Sequence, residues 1–268
     1  MPCPHGAATA TAAQPRRTAL GERTFRCGTC RRVCNERTST RYNHLQYPTD
    51  RVLLVVVWRL RDTPRLRDLA ELFLVWGIVF THETVRDWET RCVPLLTARL
   101  RVKRRGRAGA QWRVDATDIK ANGRWCSRYR ASDREGNLVG ARLSERRAMA
   151  AARRFFQRAL DTVGHAPERV TTDGHDAYPR AIRATRGGGT TQRTSRDEHN
   201  RIAQDHRGSR QRYYPMRGFG SFASAARCCP AFEEQRQYCR AANQRGDHVS
   251  LTEQQCRFRA RWATIMAA

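Results

Sequence analysis

The sequence predicts a mixed α/β domain that follows a helical unit and a short cysteine-bearing arm. Three observations predict it. Apolar residues between Val52 and Trp88 recur at three-and-four spacing, the period switches to strand-like alternation from Gln111, and a CxxC pair stands in an opening segment with little apolar periodicity. The boundaries this implies are an arm over 1–47, a helical unit over 48–94, an α/β domain over 110–229 and a polar tail over 230–268.

The arm is rich in Thr, Arg and Cys, so it needs help to bury surface, and a metal can supply it. Cys27-Gly28-Thr29-Cys30 is the knuckle that wraps backbone N–H groups around a thiolate-bound zinc, and Cys3 with Pro4 begins a second knuckle. That knuckle is damaged. Gly6 stands where another Cys belongs, which leaves His5 or Cys34 as the fourth ligand of a candidate Zn²⁺ site. The alternative is a reduced arm without metal.

Pro48-Thr49-Asp50 starts a helix with Val52, Leu53, Val56, Val57 and Leu60 inward. A second helix follows Pro64, with Leu66, Leu69, Ala70, Leu72 and Phe73 on one side. After a turn at Trp76-Gly77, a third opens at Thr81 with Val85 and Trp88 inward. Helix, glycine turn, helix is the helix-turn-helix layout, and it puts His82, Glu83, Arg86 and Glu89 outward, where a recognition helix meets a major groove. A three-helix brace for the next domain is the other reading. Arg99 to Gly109 reads as a basic linker.

Three strands come next, around Trp112–Ala116, Arg124–Ser132 and Leu138–Leu143, with Gly136-Asn137 as a turn. Arg146 to Val163 is helical through Met149, Ala152, Phe155, Phe156 and Leu160. Glu168 to Asp173 is a strand ending at an acid, and Asp176 to Arg183 a short helix. Gly187 to Gly189 is a loop, Asn200 to Arg210 a polar helix, and Ser221 to Cys228 a further helix. Three strands, a helix, a strand and then helices is the order of a ribonuclease-H-like α/β fold. Trp112, Trp125, Tyr213 and Tyr214 read as core or sheet-packing aromatics.

Charge points to the partner. The 268 residues carry 51 Lys plus Arg against 25 Asp plus Glu, a net charge of +26, and only Lys103 and Lys120 are lysines. Such an excess releases counterions from a phosphate backbone and favours nucleic acid. The longest apolar run, Val52 to Trp58, is far short of a membrane span, and the N-terminus lacks a signal pattern, so the expected location is the prokaryotic cytoplasm, with the nucleoid.

Phosphodiester chemistry with two divalent cations needs carboxylates at strand ends. Asp115 lies in the first strand of the domain and Asp173 ends the fourth, which this topology makes parallel neighbours. Asp118, at an odd spacing from Asp115, falls on the opposite face if the strand extends that far. His175 and His206 flank acidic motifs, and each reads first as a surface histidine with a local hydrogen bond.

The ordered stretches YPTDRVLLVVVWRLR, LRDLAELF with THETVRDW, WRVDATDIKANGRW, ERVTTDGHDAYPRAI, HNRIAQDHRGSRQR and PMRGFGSF, from Tyr47 to Arg227, resemble the insertion-sequence-six family of DDE transposases. The resemblance implies two-metal cleavage at transposon ends and joining of 3′ hydroxyls to target DNA. It implies Mg²⁺ or Mn²⁺, double-stranded DNA as partner and a homodimer or larger assembly. Asp115 and Asp173 match its first two catalytic acids. Its catalytic glutamate falls on Ala203, Ala116 replaces a glutamate after the first aspartate, and Asp118 replaces an aromatic. Neither Asp205, about 200° round a helix from 203, nor Glu198 is a ready substitute. Impaired chemistry is therefore expected, with a catalytically inactive DNA-binding protein, or a zinc-ribbon and helix-turn-helix DNA-binding factor, as alternative. Arg201, Arg207 and Arg210, with Arg86, are the expected DNA contacts.

Overall fold

A computed structural model describes residues 1–6, 10–186, 189–194, 213, 216, 218–240 and 248–266. The arm forms a three-stranded antiparallel sheet, β1 (Thr11–Arg17), β2 (Arg23–Cys27) and β3 (Val33–Asn35), in that order. Alternation in these strands is weak and their residues are polar, so they were not expected from sequence.

Three helices follow as expected: α1 (Thr49–Asp62), α2 (Leu66–Leu74) and α3 (His82–Arg104). Thr81 caps α3, its side chain accepting the Thr84 N–H at 3.3 Å. Gly77, at φ 71°, supports the turn before it. Two expectations need correction. The stretch read as a basic linker from Arg99 is still helix up to Arg104, because Leu96, Thr97 and Leu100 continue the buried stripe of α3. Glu89 does not face outward. It follows Val85 by four residues and shares the inward stripe, where Arg59 Nε donates to its carboxylate at 2.6 Å.

The α/β part holds a five-stranded sheet in the order β6-β5-β4-β7-β8. β4 (Gln111–Ala121), β5 (Arg124–Asp133) and β6 (Leu138–Ser144) form the expected antiparallel meander. β7 (Arg169–Thr172) runs parallel to β4, and β8 (Thr191–Thr194), unforeseen, runs parallel to β7. Between them come α4 (Met149–Val163) and α5 (Ala177–Arg186). This is the ribonuclease-H-like fold.

Both faces of the sheet are covered. Trp112 and Val114 of β4 pack with Tyr129, Phe155, Phe156 and Tyr178 beneath α4 and α5. Ile119 and Ala121, of opposite parity on the same strand, join a second core with Val56, Trp88, Leu96 and Phe232. That second core is shared with the helical unit through α6 (Phe222–Tyr238), which was expected to end at Cys228. It continues past Pro230 and buries Phe232 together with Glu233, Glu234 and Gln235. The region read as a polar tail contains α7 (Leu251–Met266), whose Ile265 reaches the same core. Trp112 and Tyr213 are buried as expected, whereas Trp125 is 68% exposed beside the β4–β5 turn and packs no core. Tyr214 lies outside the described residues.

The loop before α6 is pinned to the sheet. Phe219 N–H donates to Lys120 O at 3.0 Å, and Asn122 N–H to Phe219 O at 2.7 Å. Gly218, at φ 96°, makes that approach feasible, since a Cβ there would lie 2.7 Å from Lys120 O. No described helix is long and apolar enough to cross a membrane.

Candidate active site

Backbone register brings the two predicted aspartates together. β4 and β7 pair Gln111 with Arg169, Trp112 with Val170 and Arg113 with Thr171. Carried two residues past the last paired residues, the same register would set Asp115 level with Asp173, the residue just beyond the end of β7. Asp115 is inside β4, where the antiparallel partner strand puts Arg130 opposite it. Its Oδ1 accepts the Ala116 N–H at 2.7 Å. Asp173 directly follows β7, and Gly174, at φ 81°, turns the chain away after it.

Asp173 is held from two sides. Its Oδ1 accepts the His175 N–H at 3.2 Å, and its Oδ2 is paired with the Arg147 guanidinium from the segment that leads into α4. Burial works against the charge on Arg147, and the carboxylate of Asp173 more than restores it. Sequence reasoning missed Arg147, because its partner lies 26 positions away and no local pattern marks the pair. The Tyr178 phenol is pushed well above its ordinary range, first by burial and then by Asp173, with Asp115 contributing as well. Both aspartates thus act on this one buried group.

Other residues sit as follows. β4 extends through Asp118, so alternation sets it on the face opposite Asp115, where its Oδ1 accepts from Ser127 Oγ at 2.9 Å. His175 has the local role expected, its Nδ1 accepting the Ala177 N–H at 3.2 Å at the start of α5. Arg86 is exposed on α3 and pairs with Glu83 at 2.5 Å. Ala203, Arg201, Arg207 and Arg210 lie outside the described residues, as do Glu198, Asp205 and His206. Among the described residues, no third carboxylate completes a cluster with Asp115 and Asp173.

Behind Asp115, α6 brings a buried carboxylate to the same face of the sheet. Glu233 Oε1 accepts from Arg128 Nη1 at 2.8 Å, and its Oε2 from Arg130 Nε at 3.0 Å. Burial alone would raise the Glu233 carboxyl, but Arg130 and Arg128 reverse that and hold it down to about 2.

In the arm, the sulfurs of Cys3, Cys27 and Cys30 all lie within 4.8 Å of one another. Cys3 and Cys30 are 3.6 Å apart, and the Cys30 N–H points at Cys27 Sγ from 3.5 Å. That N–H is the leading cause that lowers the Cys27 thiol to about 7, a polarity suited to a thiolate ligand. Cys34 is buried on β3, across from Phe25, and its thiol is pushed up by burial first and then by Cys27 and Cys30. Neither Cys34 nor His5 falls within the three-sulfur group.

A family model for the DDE domain of IS240-type transposases matches residues 109–242, half of the chain. The transposase for insertion sequence-like element IS431mec of Staphylococcus aureus is 31% identical over 170 residues, covering 62% of this chain and 75% of that protein. The transposase for insertion sequence element IS257 in transposon Tn4003, also from Staphylococcus aureus, matches to the same extent. Among solved structures, a chain of the simian T-cell lymphotropic virus intasome aligns with 12% identity and a TM-score of 0.38, over 62% of this chain and 57% of that one. The HTLV-2 integrase catalytic core domain aligns with 13% identity and a TM-score of 0.35, over 61% of this chain and all of that one. By the matched DDE domain and the shared identity across three quarters of its relatives, the chain belongs to the insertion-sequence-six family of DDE transposases.

Proposed function

We propose that Asp115 and Asp173 are the metal-binding acids of a transposase that cleaves DNA at transposon ends and joins the 3′ hydroxyls to target DNA. The observation that supports this is the parallel register of β4 and β7, which, extended by two residues, would bring the two carboxylates level with each other. They fit Mg²⁺ or Mn²⁺: both are hard oxygen donors, and their mutual repulsion is relieved by a cation, as Arg147 relieves it at Asp173. A divalent ion held there supplies charge to stabilise the attacking and leaving oxygens of the phosphodiester. The chain's own residues do the positioning. β4 and β7 fix the separation of the acids, the His175 N–H orients Asp173, and Arg147 offers a guanidinium where a DNA phosphate must come to rest.

Double-stranded DNA is the partner the charge favours, with Arg86 of α3 and Arg201, Arg207 and Arg210 as phosphate or groove contacts, and a homodimer or larger assembly to hold two ends. The test is strand joining by the full chain with labelled end DNA and Mg²⁺ or Mn²⁺. Joining that Asp115→Ala abolishes supports the reading, and joining that survives the substitution removes Asp115 from it.

One observation favours a second reading of this copy. Ala203 stands where the family carries its glutamate, so the chain retains two of three acids. A DNA-binding protein with weak or no joining activity is the consequence.

The arm is proposed to hold Zn²⁺ through Cys3, Cys27 and Cys30, with His5, Cys34 or a molecule from solvent completing the tetrahedron. Three converging thiols and the N–H directed at Cys27 support this. Metal analysis of the purified chain is expected to give about one zinc per chain, reduced sharply by Cys27→Ser with Cys30→Ser. A chain with no zinc at all removes the site.

A further inference from the structure

Beside the segment that leads into β4, a cavity of about 310 Å³ lies between the last turns of α3 and α6, the β5–β6 turn and α7. Its charge is unusual. Lys103, Arg104, Arg107, Arg240 and Arg261 line it, against Glu135 and Glu234. Glu234 is already neutralised, since Arg101 Nε reaches it at 3.2 Å and Arg104 Nη2 at 2.8 Å. Arg104 is also committed to the frame, donating to Leu138 O at 2.9 Å and Val139 O at 3.1 Å. That leaves four cations facing one carboxylate.

Helix ends do not account for the excess. The C-termini of α3 and α6 each present roughly half a negative charge, about one in all, which leaves the cavity with a surplus of about two positive charges. Three of the four cations are also held in place. Lys103 Nζ lies 5.0 Å above the Tyr238 ring. Arg240 Nη2 donates to Glu135 O at 3.2 Å beneath the β5–β6 turn, and Gly136 in that turn leaves room for the guanidinium, which a Cβ would meet at 3.2 Å. Arg261 bonds the Arg240 carbonyl. Arg107 is exposed and makes no side-chain hydrogen bond or ion pair among the described residues. Like charges gathered around a concave site repel one another, and a multivalent anion removes that cost while accepting several charge-assisted hydrogen bonds.

We propose that this cavity binds a phosphate group, either of a DNA backbone or of a free nucleotide. Its volume is at the lower end of small-ligand sites and suits one nucleotide unit. From Gln111 to Asp115 the strand advances about 13 Å, so a DNA strand seated here lies several nucleotides from the carboxylates. The proposal does not depend on metal chemistry at Asp115 and Asp173.

The experiment uses the full chain in buffer without Mg²⁺ or Mn²⁺, which separates it from the catalytic reading and leaves the proposed zinc in place. Pyrophosphate binding is measured by calorimetry and duplex binding by anisotropy, for the wild type, for Lys103→Gln with Arg107→Gln, and for Arg153→Gln with Arg154→Gln on the exposed face of α4. Both pairs are at exposed positions, so the fold should persist. The cavity pair is expected to weaken at least one probe about tenfold, and the α4 pair to leave that probe unchanged. Displacement of pyrophosphate by duplex identifies the backbone as the source, and independent binding of the two identifies a free phosphate. If neither probe distinguishes the cavity pair from the α4 pair, the site does not exist.

Discussion

Ala203→Glu is expected to raise strand joining by roughly 100- to 1,000-fold, the scale seen when one group that stabilises developing charge is restored to an active site. Under the proposed function, Asp115 and Asp173 would supply only two carboxylates to the divalent ions. By the family match at position 203, an alanine supplies no carboxylate, so a second divalent ion would lack a protein ligand and the leaving oxygen its counter-charge. The gain should come with duplex affinity unchanged, because position 203 contributes no charge to DNA binding now. It should also vanish when Asp115→Ala is added to the same chain, since the acids act as a unit. A restored glutamate that leaves joining flat, in a chain that still binds end DNA, would mean that the loss lies elsewhere. Ala116, where the family carries a glutamate, would then be the next position to restore.

The second large effect concerns stability. Glu233→Gln is expected to destabilise the fold by about 3–5 kcal/mol, because two buried guanidinium groups, Arg128 and Arg130, lose their shared anion. For a chain of this size that corresponds to a fall in melting temperature on the order of 10 °C. The pH dependence has a definite sign. The carboxyl is held down from 4.5 to about 2 in the folded chain, so its contribution is complete above about pH 4.5 and is lost as pH falls toward 2. The wild type and Glu233→Gln should therefore converge in stability on acidification between those values, and differ by a constant amount at neutral pH. Glu253→Gln provides the contrast. Its partner Arg257 is four residues away on α7 and the glutamate side chain is 49% exposed, so the change should stay within about 0.5 kcal/mol. A Glu233→Gln chain as stable as the wild type at pH 7 would show that the buried ion pairs only break even against a neutral hydrogen bond.

Legibility in the sequence followed locality. The β4–β6 meander could be read because Gly136-Asn137 marks its turn and the strands alternate, and β7 because Val170 is apolar and an acid closes it. Asp115 and Asp173 could be paired because strand order alone makes β4 and β7 neighbours. What escaped was set by distant partners. β8, with the sequence TQRT, has no apolar alternation and exists through its pairing with β7. Glu89 looked like a solvent-facing charge until Arg59, 30 positions away, supplied its partner. The same holds for Glu233 and Glu234, which resemble a polar tail but are buried against arginines of β5 and α3. Arg147 could have been found only by asking which cation lies near the end of β7, a question that periodicity does not answer.

The core that α1, α3 and α6 share with the far half of β4 joins the helical unit to the sheet through one packed interior. DNA held by α3, as proposed, would thus be kept at a set offset from Asp115 and Asp173, like a workpiece clamped to the bed of a lathe. The distance along DNA between the bases it reads and the bond it cuts would then be fixed by folding itself, and lengthening a loop elsewhere in the chain should not change it.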